Sequence, residues 1–214
     1  MMAIHNRRWM AGLLVGMVVL AGCGGAPKVP GSVEQTSLII DAEGGVVSHM
    51  VDVFDKEHYN VDELRDMANK EVADYNTANQ SGTTAPVTVE SVESIAGSKV
   101  RVTYTYNNVD DYTAYNNSLL FYGTVSEAKN AGYDFTALNQ VLFNAKTDGS
   151  VVSSELDDSK MAEKHVVLLE EKTLVYCPYK VAYASESAVI KEDGSVDTMA
   201  MLPEEFPVII LLDK

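Results

Sequence analysis

Cysteine is scarce in this chain, and the usual metal and redox motifs are missing. Two cysteines occur among 214 residues, which excludes the disulfide framework of small secreted domains. There is no CxxC pair and no HExxH string, and the four histidines do not have the spacing of a zinc motif. The sequence therefore predicts no metal and no cofactor, and it leaves open a site assembled from ligands that are distant in sequence.

Catalytic signatures are also missing. No Gly-rich phosphate loop follows a candidate strand, and no G-x-S-x-G string occurs. The run from Ser126 to Lys129 has the S-x-x-K spacing of serine acyltransferases, but the partner strings S-D-N and K-T-G are absent. The same run is typical of a helix start. We therefore predict no catalytic residues and lean against an enzyme.

Basic residues are few. The chain has 16 lysines and arginines against 31 acidic residues, a net charge of −15 at pH 7. Such a charge opposes binding to nucleic acid and to anionic lipid head groups. It suits a solvated surface, or attraction to cations and cationic partners. We accordingly expect no nucleic-acid partner.

Long hydrophobic runs are absent, and the longest apolar stretch near the start is short. It covers Met10–Leu20, 11 residues, and follows the positive pair Arg7 and Arg8. A membrane-spanning helix needs about 20 apolar residues, so this run is too short for a span and fits the core of a secretory signal. Residues 1–22 are therefore predicted to be a signal peptide.

The end of that signal has a specific pattern. Leu20, Ala21, Gly22 and Cys23 resemble the lipobox of bacterial lipoproteins. The resemblance implies recognition of Leu20, Ala21 and Gly22 by the lipoprotein signal peptidase, cleavage after Gly22, and a diacylglyceryl group on the Cys23 sulfur. Stable anchoring requires at least two acyl chains, which this modification supplies. The alternative is an ordinary cleaved signal in which the cysteine is coincidental.

This resemblance also implies a location. The protein would be held at the cell membrane through Cys23 and would face outward in a Gram-positive cell. No aspartate follows Cys23, so in a Gram-negative cell the outer membrane is expected. Without Arg7 and Arg8 the balance becomes 14 basic against 31 acidic residues, or −17.

Three segments are predicted along the chain. Residues 1–22 are the signal, and residues 23–35 are the lipidated cysteine with a Gly/Pro/Ser-rich tether. Residues 36–214 form one extracytoplasmic domain. Within that domain Cys177 is the sole cysteine, and its apolar surroundings predict a buried, inert thiol. A catalytic thiol would require a base, and His165 is the nearest histidine in sequence.

The hydrophobic pattern predicts an α+β fold with a mainly antiparallel sheet built from hairpins. One hairpin turns at Glu43-Gly44-Gly45 and a second joins residues 87–94 to 99–106. In the second, Val100, Val102, Tyr104 and Tyr106 share one face, and Arg101, Thr103 and Thr105 share the other. An amphipathic helix is predicted at 61–77, with Asn60 as its N-cap, packed on the sheet. Residues 135–145 fit a helix or a strand.

Tyrosine is the one abundant aromatic residue, with 11 tyrosines against five phenylalanines and one tryptophan. A tyrosine ring can stack on a sugar or a peptide while its hydroxyl stays in water. Four tyrosines close together in sequence therefore define a candidate ligand surface: Tyr104, Tyr106, Tyr112 and Tyr115. The alternative is a strand-rich core with half-buried tyrosines.

Two further strings carry a second resemblance. Val33–Leu38 (VEQTSL) and Gly123–Phe135 (GTVSEAKNAGYDF) are similar to those of uncharacterised small lipoproteins of anaerobic Gram-positive bacteria, a resemblance that implies no assigned activity. The sequence thus favours a non-enzymatic binding or interaction module at the cell surface. The alternatives are an exported hydrolase with scattered catalytic residues, and a structural or envelope-stress lipoprotein.

Overall fold

The computed structural model describes residues 29–31, 33–79, 82–144, 149–205 and 207–214. These form an α+β fold, as the hydrophobic pattern predicts, with strands in two mostly antiparallel sheets. The helices are α1 Val61–Asn79, α2 Val109–Asn116, α3 Val125–Asn130 and α4 Phe135–Leu138. The strands are β1 Ser37–Ile40, β2 Val46–Val53, β3 Val87–Ile95, β4 Lys99–Tyr106, β5 Leu120–Thr124, β6 Val141–Phe143, β7 Ser150–Val152, β8 His165–Leu169, β9 Leu174–Tyr176, β10 Val181–Ser185, β11 Val189–Ile190, β12 Val196–Asp197 and β13 Val208–Leu212.

Sheet A has seven strands in the order β11-β12-β9-β1-β2-β4-β3. The two predicted hairpins, β1–β2 and β3–β4, are both present, and β2 pairs with β4 along its whole length. The first turn is closed by the Asp41 carboxylate, which accepts from the backbone N–H of Gly45 at 2.7 Å. Gly44 has φ +90°, which a residue without Cβ adopts at little cost. The β1–β9 pair is the parallel exception.

Helix α1 begins at the residue predicted and ends two residues later than predicted. The Asn60 side chain accepts hydrogen bonds from the backbone N–H groups of Asp62 and Glu63, which satisfies two donors of the first turn. The buried residues of α1 are Ala68 and Val72. They belong to the same apolar cluster as Val102 of β4, so the helix packs on sheet A as expected.

Sheet B has six strands in the order β5-β8-β13-β10-β6-β7. Its central strand β13 is buried at every position, because both of its faces are covered. Val208, Ile210 and Leu212 join the cluster shared with sheet A. Ile209 and Leu211 join a second cluster with Val125, Ala128 and Phe135 of helices α3 and α4. Sheet B therefore lies between sheet A on one side and short helices on the other.

The segment that fitted either a helix or a strand contains one of each. Helix α4 ends at Leu138, Asn139 adopts the left-handed conformation with φ 46°, and strand β6 follows at Val141. Helix α3 begins with a capping box, in which Thr124 and Glu127 exchange side-chain-to-backbone bonds. Gly132, at φ +98°, lies just beyond the end of that helix.

Candidate functional site

The predicted lipidation residue and its recognition sequence, Leu20 to Cys23, lie outside the described residues. None of the described helices is both long enough and apolar enough to cross a bilayer. The described residues also contain no group of three or more histidine, cysteine or acidic side chains arranged to hold a metal ion.

The four tyrosines expected to form a ligand surface do lie together, but they lie in the core. Tyr104, Tyr106 and Tyr112 are buried and Tyr115 is half-buried. The ring of Tyr106 contacts those of Tyr112 and Tyr115, with centroids 5.0 and 5.9 Å apart. The expected exposed surface is therefore corrected to an internal aromatic cluster. These tyrosines are buried because helices α1 and α2 cover the face of β4 on which Tyr104 and Tyr106 lie.

One member of this cluster has an acidic partner. The Tyr112 hydroxyl donates a hydrogen bond to the Glu171 carboxylate. Burial and the negative charge of Glu171 both raise the pKa of Tyr112 far above its ordinary value. The hydroxyl therefore stays protonated, and the contact ties helix α2 to the connection between β8 and β9.

Cys177 does not have the surroundings of a nucleophile. Its thiol is buried, and that burial raises its pKa to about 12, so the reactive thiolate is not populated at neutral pH. The candidate base His165 packs instead against the rings of Tyr122 and Tyr179, at centroid distances of 5.7 and 5.9 Å. The Lys214 ammonium lies 3.3 Å from Nε2 of His165. This arrangement favours the inert interpretation of the thiol.

A polar network crosses the face of sheet A that points away from sheet B, which we call the outer face. Nδ1 of His49 lies 3.1 Å from the Thr103 hydroxyl, and Thr103 lies 3.3 Å from the Ser91 hydroxyl. The three residues come from adjacent strands β2, β4 and β3. Burial, and then the nearby Arg101 charge, lower the pKa of His49. His49 is therefore neutral at physiological pH.

The end of the predicted tether is attached to this outer face. We call residues 33–36 the strap. Arg101 donates from Nη1 to the Val33 carbonyl at 2.9 Å, and Val33 is only 6% exposed. The Thr36 hydroxyl exchanges hydrogen bonds of 3.2 and 3.1 Å with the backbone of Val51, and Leu174 N–H donates to the Thr36 carbonyl. Contacts with the domain are thus already present at Val33, three residues before the predicted boundary at residue 36.

Shallow grooves flank the strap. One, of about 330 Å³, runs beside β2 and β12 and mixes charged and apolar side chains. A second, of about 260 Å³, lies between Pro30 and Val33 on one side and Leu174 and Tyr176 on the other. Both are open to solvent. The first groove is lined by Glu34, Gln35, Thr36, Val51, Asp52, Val53, Lys99, Asp197 and Met199.

The strap was not predicted, although the sequence contains one signal for it. The alternation of β4 places Arg101 on the outer face, where a single arginine among threonines has room to bind a crossing segment. Val33 is the apolar residue that follows the Gly/Pro-rich stretch.

Comparison of the chain with protein-family models, with curated proteins and with solved structures gives no match.

Proposed function

We propose that this protein is an outward-facing lipoprotein, held at the cell membrane by acyl chains on Cys23, which acts as a non-enzymatic binding or interaction module. The proposal rests on the lipobox-like sequence from Leu20 to Cys23 together with the attachment of the strap at Val33. The anchor and the folded domain are then consecutive parts of the chain, separated by a short covalent connection.

The length of that connection limits how far the domain can lie from the membrane. Ten Cα steps separate Cys23 from Val33, and a fully extended chain spans at most about 35 Å over that length. A lipid on Cys23 would therefore keep the domain at the membrane surface rather than projecting it far away. A short tether suits a module that binds ligands or partners close to the membrane.

The binding interpretation is favoured over an exported hydrolase by the state of Cys177. A hydrolase that used a cysteine nucleophile would need an activated thiolate, and the single thiol of the domain is buried with its pKa raised to about 12. His165, the candidate base, is engaged with Tyr122, Tyr179 and Lys214. The grooves beside the strap are shallow, which fits recognition of an extended surface better than enclosure of a small substrate.

The two cysteines provide a matched pair for testing the anchor. We expect the unchanged protein and a Cys177→Ser variant to sediment with the membrane fraction of a bacterial host, and a Cys23→Ser variant to lose that association. Cys177→Ser controls for the loss of a thiol as such. Membrane association of Cys23→Ser equal to that of the unchanged protein would contradict the proposal.

The binding activity needs a separate measurement. Thermal unfolding of the protein would be recorded with glycans, peptidoglycan fragments, peptides and divalent ions. A ligand that binds only the native state at a hundredfold excess over Kd stabilises it by about 2.7 kcal/mol. We expect one chemical class to raise the midpoint. No shift with any class would contradict small-ligand binding and favour a protein partner or a structural role at the membrane.

A further inference from the structure

We propose that the outer face of sheet A lies against the lipid bilayer. The partner is the membrane itself, in contact with the aliphatic side chains around the strap. This inference rests on the proposed lipid anchor at Cys23 and goes beyond it, because an anchor alone leaves the orientation of the domain undefined.

The two faces of sheet A are covered differently. Val102 and Tyr104 of β4 and Val175 of β9 point inward and share one cluster with α1, α2 and sheet B. The intervening residues point the other way: Arg101 and Thr103 on β4, and Leu174 on β9. The strap lies at this outer face, where Arg101 binds Val33 and Leu174 lines the same groove as Val33. Helix α1 and sheet B both lie on the opposite side.

The strap brings the predicted anchor to this face. Val33 is fixed by Arg101, and the chain from Val33 to Cys23 cannot span more than about 35 Å. If Cys23 carries lipid, the attachment point of Val33 is kept within that distance of the membrane. That point lies on the outer face, beside the grooves that flank the strap.

Exposed aliphatic side chains lie on the same face. Val53, at 53% exposed, and Met199, at 48%, line the groove beside the strap. Val189, at 58% exposed, pairs with Asp197 of β12, which in turn pairs with Leu174, so it lies on the same face. In a membrane interface such side chains leave water, which the hydrophobic effect favours.

Two ion pairs lie on this face, whereas Glu34, Asp52 and Lys99 beside the strap form none within the described residues. Arg101 binds Glu93 with an N–O distance of 2.7 Å, and Lys191 binds Asp197 at 2.9 Å. The chain as a whole carries a net charge of −15, which opposes approach to anionic head groups. The two ion pairs reduce that repulsion over part of the outer face. Neutral, zwitterionic lipids are the chemistry that this face fits.

Tryptophan fluorescence can test the orientation. The one tryptophan, Trp9, lies in the predicted signal, so the lipidated chain would contain none. Val53→Trp and Val189→Trp place a reporter on the outer face. Met67→Trp is the matched control, because Met67 is 68% exposed on α1, on the opposite side of sheet A. Each lipidated variant is reconstituted in phosphatidylcholine vesicles with and without brominated acyl chains, since bromine quenches tryptophan at short range.

We expect brominated lipid to quench Val53→Trp and Val189→Trp, and to leave Met67→Trp unchanged. Vesicle flotation is measured on the same samples. Flotation with equal quenching, or with none, at all three positions would overturn the proposed orientation and leave the anchor intact. Failure of these Cys23-containing variants to float would overturn the anchor, and the orientation with it. Circular dichroism melts of the three variants check that each is folded.

Discussion

Arg101 and Val33, 68 residues apart, are joined by a hydrogen bond of 2.9 Å from the guanidinium to the backbone carbonyl. The same guanidinium binds Glu93, so one side chain holds the strap and pairs with the neighbouring strand β3. This contact turns the last part of a segment that looks like a free tether into part of the domain. The orientation proposed for the domain depends on it.

Removing the arginine should release the strap. Arg101→Met keeps the aliphatic stem and removes the donors, leaving the part-buried Val33 carbonyl unpaired at a cost of about 1–3 kcal/mol. We expect faster amide exchange and easier proteolysis at residues 33–36, with a lower unfolding midpoint. Glu93→Gln is the control, because it removes the ion pair and keeps the bond to Val33. Equal protection of the strap in Arg101→Met and the unchanged protein would contradict this account.

Stability should fall in mild acid. Burial and then Arg101 lower the pKa of His49 below its ordinary value of 6.5. The unfolded chain therefore takes up the proton first, so the contribution of neutral His49 is complete above about pH 6.5 and declines as pH falls through the folded pKa. Burial and then Lys214 lower the pKa of His165, which adds a decline of the same sign.

Urea unfolding between about pH 7 and 5 measures this effect through the change in unfolding free energy. We expect His49→Gln to flatten the pH dependence and the double variant with His165→Gln to flatten it further. A slope unchanged in both variants would show that neither histidine is responsible.

The Cys177 thiol should be silent in the folded protein. The thiol is buried, so a thiol reagent cannot reach the sulfur. Its pKa is raised to about 12, so the reactive thiolate is not populated at neutral pH. We expect no reaction at neutral pH in native buffer and one thiol per lipidated chain in denaturant, measured by absorbance with a disulfide reagent. Fast labelling of the native protein would contradict the inert assignment and favour a catalytic thiol.

Two tyrosines should respond differently to loss of their hydroxyl. Tyr112→Phe removes a hydrogen bond to the Glu171 carboxylate, which should cost about 1.5–3 kcal/mol. Within the described part of the chain the buried Tyr115 hydroxyl has no hydrogen-bond partner, so Tyr115→Phe should be neutral or stabilising. Chemical denaturation of both variants measures the difference. Equal destabilisation would contradict the assigned contacts.

Local signals in the sequence were sufficient for the hairpins and for α1. The turn at Gly44, the Asn60 cap and the capping box at Thr124 depend on residues adjacent in the chain, and the structure has all three. The tyrosines show where such reasoning fails. The alternation of β4 correctly placed Tyr104 and Tyr106 on one face, but only the packing of α1 and α2 decided that this face is inside.

The strap and the second sheet could not be predicted from the sequence, for the same reason. Both depend on contacts between distant residues, such as Arg101 with Val33, and on parallel pairing of β1 with β9. Periodicity identifies a strand and its two faces, but not the neighbour that the strand acquires. The split of residues 135–145 into α4 and β6 likewise follows from how each half packs on sheet B.

Intact mass spectrometry of the purified membrane-bound protein is the most direct test of the lipid anchor. We expect a chain that begins at Cys23 and carries the added mass of at least two acyl chains, which Cys23→Ser should remove. A chain that begins elsewhere, or one that begins at Cys23 without added lipid mass, would contradict it.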